Sequence, residues 1–257
     1  LAQVLAPFGR RPLVVSDPGI AAAGILQQVL DVLAPVVAHV ESFTEVEPNP
    51  GIETVERAAE AYRRGDCDCV VAVGGGSAMD VAKVTAVLAS HGGGVREYEG
   101  IGKVPGPTVP VVCIPTTAGT GSEVTVYAVI TDRERPFKMT IGSPHILPAA
   151  AVCDPLLTLS MPQGLTAATG MDALTHGIEC FVNTVVNPIA KALALEAVRL
   201  IGRHLRTAYA AGRNLEARYH MLLASTMAAM AFTRTRLGNF HAMSHPLGAH
   251  FDIPHWL

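Results

Sequence analysis

Up to Pro155, short apolar runs alternate with amphipathic stretches. LVVSD at 13–17 is a continuous apolar run ending in polar residues, the pattern of a strand buried on both faces. ETVERAAEAYRRG at 53–65 spaces its apolar residues as an amphipathic helix does and closes on Gly65. CVVAV at 69–73 reads as another strand and runs straight into GGGSAMDVAK. PVVCIPTTAGTGSE reads as strand into loop, VTVYAVITD as a strand, and AAAVCDP at 149–155 as the last one. Strands alternating with helices predict a parallel sheet covered by helices. The character changes near Met161, after which nothing reads as a strand. Pro162 stands near a helix start. Asn187-Pro188 is an N-cap and first-turn pair opening IAKALALEAVRLIGRHLRTAYAA, and Asn214 opens a further helix through about Phe232. The expected architecture is an α/β domain at 1–160 followed by an all-α domain at 161–257.

Composition narrows the class. Apolar residues make up 49% and charged residues 16%, so the chain can bury a core. A net charge of -3 leaves no basic footprint, which argues against nucleic acid as a partner. No signal peptide opens the chain and no apolar run reaches membrane-spanning length, so no membrane partner is expected. The run at 221–232 reads as a buried core helix. Cysteines number 5. Cys67 and Cys69 are too close for an ordinary disulfide, and Cys113 and Cys153 fall in runs that read as buried strands. All are expected as reduced thiols in a cytoplasmic protein. The chain opens on Leu1 without a methionine and stops at Leu257, so both ends read as cuts.

Three segments carry candidate chemistry in the first domain. The Gly74–Gly76 run follows a strand and leads into a helix, where backbone N–H groups can approach a phosphate. Ser77 can cap that helix with Asp80 completing a capping box, and a tight capped turn is the plainer alternative. The spacing is not that of the ordinary Rossmann fingerprint. PTTAGTGSE at 115–123 offers the hydroxyls of Thr116, Thr117, Thr120 and Ser122, with Thr125 beyond. It is either a Ser/Thr-rich connection or a second cofactor loop, and two such loops at strand ends favour a dinucleotide crevice. Asp17 ends the first strand, where a carboxylate can accept a ribose 2′-hydroxyl or form a turn with Pro18-Gly19.

The second domain carries the metal candidates. Asp172 and His176 are four apart, so on a helix they share one face, and His241 and His245 have the same spacing. One carboxylate with three imidazoles, from Asp172, His176, His241 and His255, suits a divalent transition metal. His250 belongs to the same C-terminal cluster. His39, His91, His145, His204 and His220 read as ordinary core histidines. Cys67-Asp68-Cys69 reads as packing rather than as a metal site.

The stretches GGGSAMDVAK, PTTAGTGSEVT, CDPLLT, ATGMDALTHGIE and HAMSHPLGAHFDIPH together resemble the iron-containing (group III) alcohol dehydrogenase family, in its order and across nearly the whole chain. The wider superfamily includes glycerol dehydrogenases and dehydroquinate synthases, and the HAMSHPLG block favours the alcohol dehydrogenase branch. The resemblance implies a dehydroquinate synthase-like fold, with a dinucleotide-binding α/β domain and a metal-binding helical one. It implies Asp172, His176, His241 and His255 as metal ligands and His245 as a non-ligand beside them, read here as a proton relay. It implies that Gly75, Gly76 and Ser77 bind the pyrophosphate, that Thr116, Thr117 and Thr120 contact the cofactor, and that Lys138 approaches its ribose. Asp17 matches the position favouring NAD over NADP, and Asn49 a further cofactor contact. The expected metal is Fe²⁺, with Zn²⁺ or another divalent ion admitted by the same ligands.

The implied reaction is hydride transfer between nicotinamide and a small alcohol, aldehyde or ketone whose oxygen sits on the metal, in a homodimer. Maleylacetate reductase or hydroxyacid–oxoacid transhydrogenase activity is the alternative within the fold. A non-catalytic metal- and nucleotide-binding protein is the alternative from another class. Two departures stand out. Relatives read PHG where this chain has Pro254-His255-Trp256, and they continue through further helices that help wall the substrate pocket.

Overall fold

The computed structural model describes residues 1–251 and residue 253. By contacts the chain forms two units, Leu1–Ile114 with Val126–Val152, and Pro115–Thr125 with Cys153 onward. The Pro115–Thr125 loop, which follows a strand in sequence, therefore groups with the helices.

The first unit runs α1 (Ala2–Leu5), β1 (Pro12–Val15), α2 (Pro18–Ala22), α3 (Ile25–Leu33), β2 (Glu41–Phe43), α4 (Ile52–Arg64), β3 (Cys69–Gly74) and α5 (Gly76–His91). It continues through β4 (Gly100–Ile101), β5 (Val111–Pro115), β6 (Tyr127–Asp132), β7 (Phe137–Gly142) and β8 (Ala150–Ala151). Five strands form one sheet in the order β2-β1-β3-β5-β8. β1 pairs in parallel with both β2 and β3, and β5 with β8. Every residue of β1, β3 and β5 is buried, which is why their sequences are continuous apolar runs rather than alternating ones. After β1 the chain goes to one side for β2 and then crosses to the other side for β3. The carboxyl ends of β1 and β3 therefore meet at a topological switch point, where open α/β sheets bind ligands. α4 turns Ile52, Val55, Ala59 and Tyr62 inward at helical spacing and ends on Gly65.

A second, three-stranded sheet in the order β4-β7-β6 was not legible in the sequence. β6 and β7 form an antiparallel hairpin, with Tyr127 opposite Gly142 and Asp132 opposite Phe137. Polar bonds tie it to α5: Lys83, fully buried, donates to the Tyr127 carbonyl at 2.9 Å, and Asp80 accepts the Val129 N–H at 2.9 Å. This corrects the expected role of Asp80 as half of a capping box. Gly75 holds the N-cap position of α5, and Ser77 lies inside its first turn rather than capping it.

The second unit is helical: α6 (Gln163–Val182), α7 (Pro188–Ala210), α8 (Leu215–Thr235) and α9 (Asn239–Phe251). Its core is rich in alanine, with Ala173, Ala197, Ala217, Ala224 and Ala228 beside Leu200, Ile201 and Met221, so the helices approach closely. The side chains of Asn187 and Asn214 cap α7 and α8 by accepting the N–H of Ala190 (3.0 Å) and of Ala217 (2.9 Å). Asn187→Ala removes one such cap. It is expected to lower unfolding free energy by about 1 kcal/mol in urea denaturation, and an unchanged midpoint would exclude a capping contribution.

Two further expectations are corrected. Cys153 lies beyond the two-residue β8 and is exposed, whereas the other four cysteines are buried, and none of the five forms a disulfide. None of His39, His91, His145, His204 and His220 is buried, so none is a core histidine. No described helix is long and apolar enough to cross a membrane.

Candidate metal centre and nucleotide loops

α6 places Asp172 and His176 one turn apart on one face, and α9 brings His241 to the same point. The three offer ligand atoms that lie within 4.8 Å of one another. His176 Nε2 and His241 Nε2 stand 3.6 and 3.5 Å from Asp172 Oδ1. These separations exceed an ordinary hydrogen bond. They are close to the ~3.4 Å edge of a tetrahedron whose metal–ligand bonds are about 2.1 Å. Asp172 is 9% exposed and both imidazoles 3%, so the group sits in a low-dielectric environment.

Packing fixes the ring planes. His176 stacks on His241, with centroids 4.6 Å apart and an interplanar angle of 18°, and lies 4.7 Å from the Phe232 ring. His241 Nδ1 meets Glu179 Oε2 at 2.6 Å. Burial holds the His176 pKa below its ordinary value despite the nearby Asp172, which keeps the ring neutral and able to ligate. Burial also pulls on His241, but the negative charges of Asp172 and Glu179 outweigh it and its pKa is raised. His245, half-buried, presents its ring edge-on to His241 at 6.1 Å between centroids and is not one of the three. His255 lies outside the described residues.

Sequence reasoning missed Glu179. It follows Asp172 by two helical turns, so the positions 172, 176 and 179 share one face of α6. That spacing was the available signal.

The nucleotide candidates fall in both units. In the first, Asp17 caps α2 by accepting the Ile20 N–H at 2.9 Å, the turn chemistry that Asp-Pro-Gly offers. Its other oxygen faces Gly74, where an added Cβ would come within 3.2 Å of it and within 2.8 Å of the Ala78 Cβ. Gly74 also has φ +158, so the β3–α5 turn that carries Gly75, Gly76 and Ser77 needs glycine at this point. Lys138 on β7 reaches across 89 positions to donate to Asn49 Oδ1 at 2.8 Å, a pairing that no local pattern predicts. Asn49 adopts a positive φ of 50°, which asparagine tolerates better than most residues.

In the second unit, Thr116, Thr117 and Thr120 lie on the Pro115–Thr125 loop. Thr120 Oγ1 accepts the Ser122 N–H at 3.3 Å. Thr116 is 3% exposed, and its hydroxyl has no hydrogen-bond partner among the described residues.

The sequence matches the family model for iron-containing alcohol dehydrogenase over residues 1–155, and that for the C-terminal part of the Fe-containing alcohol dehydrogenase family over residues 166–256. The 1,3-propanediol dehydrogenase of Klebsiella pneumoniae is 44% identical over 249 residues, covering 96% of this chain and 64% of that protein. Alcohol dehydrogenase 4 of Schizosaccharomyces pombe is 42% identical over 246 residues, covering 96% of this chain and 58% of that protein. The chain thus spans roughly three-fifths of the length of these curated relatives. Among solved structures, sulfoacetaldehyde reductase from Bifidobacterium kashiwanohense in complex with NAD⁺ matches with a TM-score of 0.92 and 38% identity, over 100% of this chain and 68% of that one.

Proposed function

The chain belongs to the iron-containing alcohol dehydrogenase family, and from that premise we propose that it is a metal-dependent, NAD(H)-linked dehydrogenase interconverting small alcohols with aldehydes or ketones. The observation that carries this reading is the buried group of Asp172, His176 and His241 with ligand atoms within 4.8 Å of one another. One carboxylate and two imidazoles suit Fe²⁺, with Zn²⁺ next, and His255 is proposed as the fourth ligand. Bound groups would supply a Lewis acid for the substrate oxygen and a two-electron carrier.

The residues of the chain do the rest. Asp172 offsets only one of two positive charges, which leaves the site able to attract an oxygen that gains negative charge. Burial keeps water from screening that attraction. His245 beside His241 is proposed to exchange the substrate proton with solvent. The buried, unpartnered Thr116 hydroxyl fits a cofactor contact, with Thr117 and Thr120 beside it on the same loop. The glycine turn at Gly75, Gly76 and Ser77 fits a pyrophosphate at a helix N-terminus. Lys138 and Asn49, already paired, fit the ribose. Asp17 beside that turn supports NAD over NADP, because its carboxylate would repel a 2′-phosphate. Five cysteines without a disulfide support a reducing, cytoplasmic setting, and the commonness of symmetric pairing supports a dimer.

The test is NADH oxidation with a panel of small aldehydes and ketones, before and after chelation. Activity is expected to vanish with the metal, to return with Fe²⁺, and to prefer NADH over NADPH. Binding of NADH and metal without turnover of any carbonyl or alcohol would replace this reading with a non-catalytic one.

A further inference from the structure

We propose that Glu179 is a positioning residue for the metal centre: its carboxylate keeps the His241 proton on Nδ1 and so presents Nε2 to the ion. This rests on the reading that Asp172, His176 and His241 hold a metal. The geometry is specific. Glu179 is 8% exposed. One of its oxygens accepts the Phe240 N–H at 2.7 Å, and the other meets His241 Nδ1 at 2.6 Å. The Gly238 N–H bonds to the same carboxylate. The two backbone donors lie at the start of α9, where N–H groups lack intrahelical partners and negative charge is favoured. Three donors thus converge on one two-oxygen acceptor.

That convergence settles what Glu179 can do. A carboxylate has no proton to give at neutral pH, so the contact to His241 requires the proton on Nδ1. In the neutral ring the other nitrogen, Nε2, then carries the lone pair on the side facing Asp172, 3.5 Å from Oδ1. Carboxylates that hold a ligating imidazole from behind in this way fix its tautomer and raise its basicity. The same side chain anchors the start of α9, so orientation of the helix and of the ring depends on one group. His176, by contrast, stacks on His241 and packs against the tilted ring of Phe232.

Glu179→Gln separates positioning from bulk. The amide has nearly the same shape but only one acceptor oxygen. It must either turn its NH₂ toward His241, which favours the Nε2–H tautomer, or toward the backbone N–H groups of α9. Metal-stripped protein and the variant would be titrated with Co²⁺, following its visible absorption, and the ¹⁵N shifts of His241 recorded without metal. The variant is expected to bind Co²⁺ about 10–100-fold more weakly, with the ring nitrogen shifts moved away from the Nδ1–H pattern of the parent. Thermal unfolding of both metal-free proteins guards against misfolding, and Glu179→Ala, which cannot donate to the ring, should restore part of any loss caused by the wrong tautomer. Equal Co²⁺ affinity and unchanged ¹⁵N shifts in a folded Glu179→Gln would overturn the proposal. Failure of the parent itself to bind Co²⁺ would instead overturn the metal reading beneath it.

Discussion

His176→Ala is expected to empty the metal centre and to lower turnover on the order of a thousand-fold. Among the described residues three converging side chains could hold an ion, and His176 would supply one of the two imidazoles. Losing one ligand from a closely spaced set removes both a bond and the geometry that selects the metal. Lewis-acid assistance is worth several kcal/mol, and about 4 kcal/mol corresponds to roughly a thousand-fold in rate. The ring also packs against Phe232, so the variant leaves a small cavity and its folding must be checked by circular dichroism. His245→Ala provides the contrast. It stands beside His241 without belonging to the ligand trio, so it should keep its metal and lose on the order of a hundred-fold or more in turnover, as removal of a proton-transfer group does. Elemental analysis with steady-state rates distinguishes the two. A fully metallated His176→Ala would refute the ligand role, and a metal-free His245→Ala would make His245 part of the metal centre.

What the sequence revealed follows the range over which its physics acts. β1 and β3 were legible because strands buried on both faces leave unbroken apolar runs. Asp172 and His176 were legible because a helix repeats every 3.6 residues. The hairpin of β6 and β7 was not predicted as such, because FKMTIG interleaves a lysine and a threonine with its apolar residues. Lys138 is buried there only through long-range structure, with Asn49 as one partner. α9 was hidden by Pro246, which ordinarily ends a helix but here lies inside Asn239–Phe251. Ser77 was misjudged because Gly75 takes the cap position two residues earlier than the hydroxyl pattern implied. The histidines failed in the opposite direction. An apolar neighbourhood in sequence does not say which face of an element a side chain takes, and His39 and His145 both came out on the surface. Glu179 shows the limit most clearly: its value to the site depends on His241, 62 positions away, and no local window contains both.

Gly121→Ala is expected to be the most destabilising single methyl group in the Pro115–Thr125 loop. Gly121 has φ +61, and a Cβ there would sit 2.0 Å from the Ala229 Cβ of α8 and 3.2 Å from the Ser225 carbonyl oxygen. The left-handed backbone alone costs an L-residue about 1–2 kcal/mol. Forcing a methyl into a filled contact adds about 1–3 kcal/mol, so the sum is on the order of 3 kcal/mol. The strain has one outlet, which is displacement of the loop from α8. That movement would break the 3.0 Å bond from Thr226 to the buried Glu123 and shift Thr116, Thr117 and Thr120, so NADH affinity should fall together with stability. Ala229→Gly supplies the control, since it deletes the atom that the new methyl meets. The double variant should recover the packing part of the loss and keep the backbone part, which makes the two substitutions non-additive in urea denaturation. A Gly121→Ala protein as stable as its parent, or a double variant showing simple additivity, would mean that the loop does not press on α8 as this geometry requires.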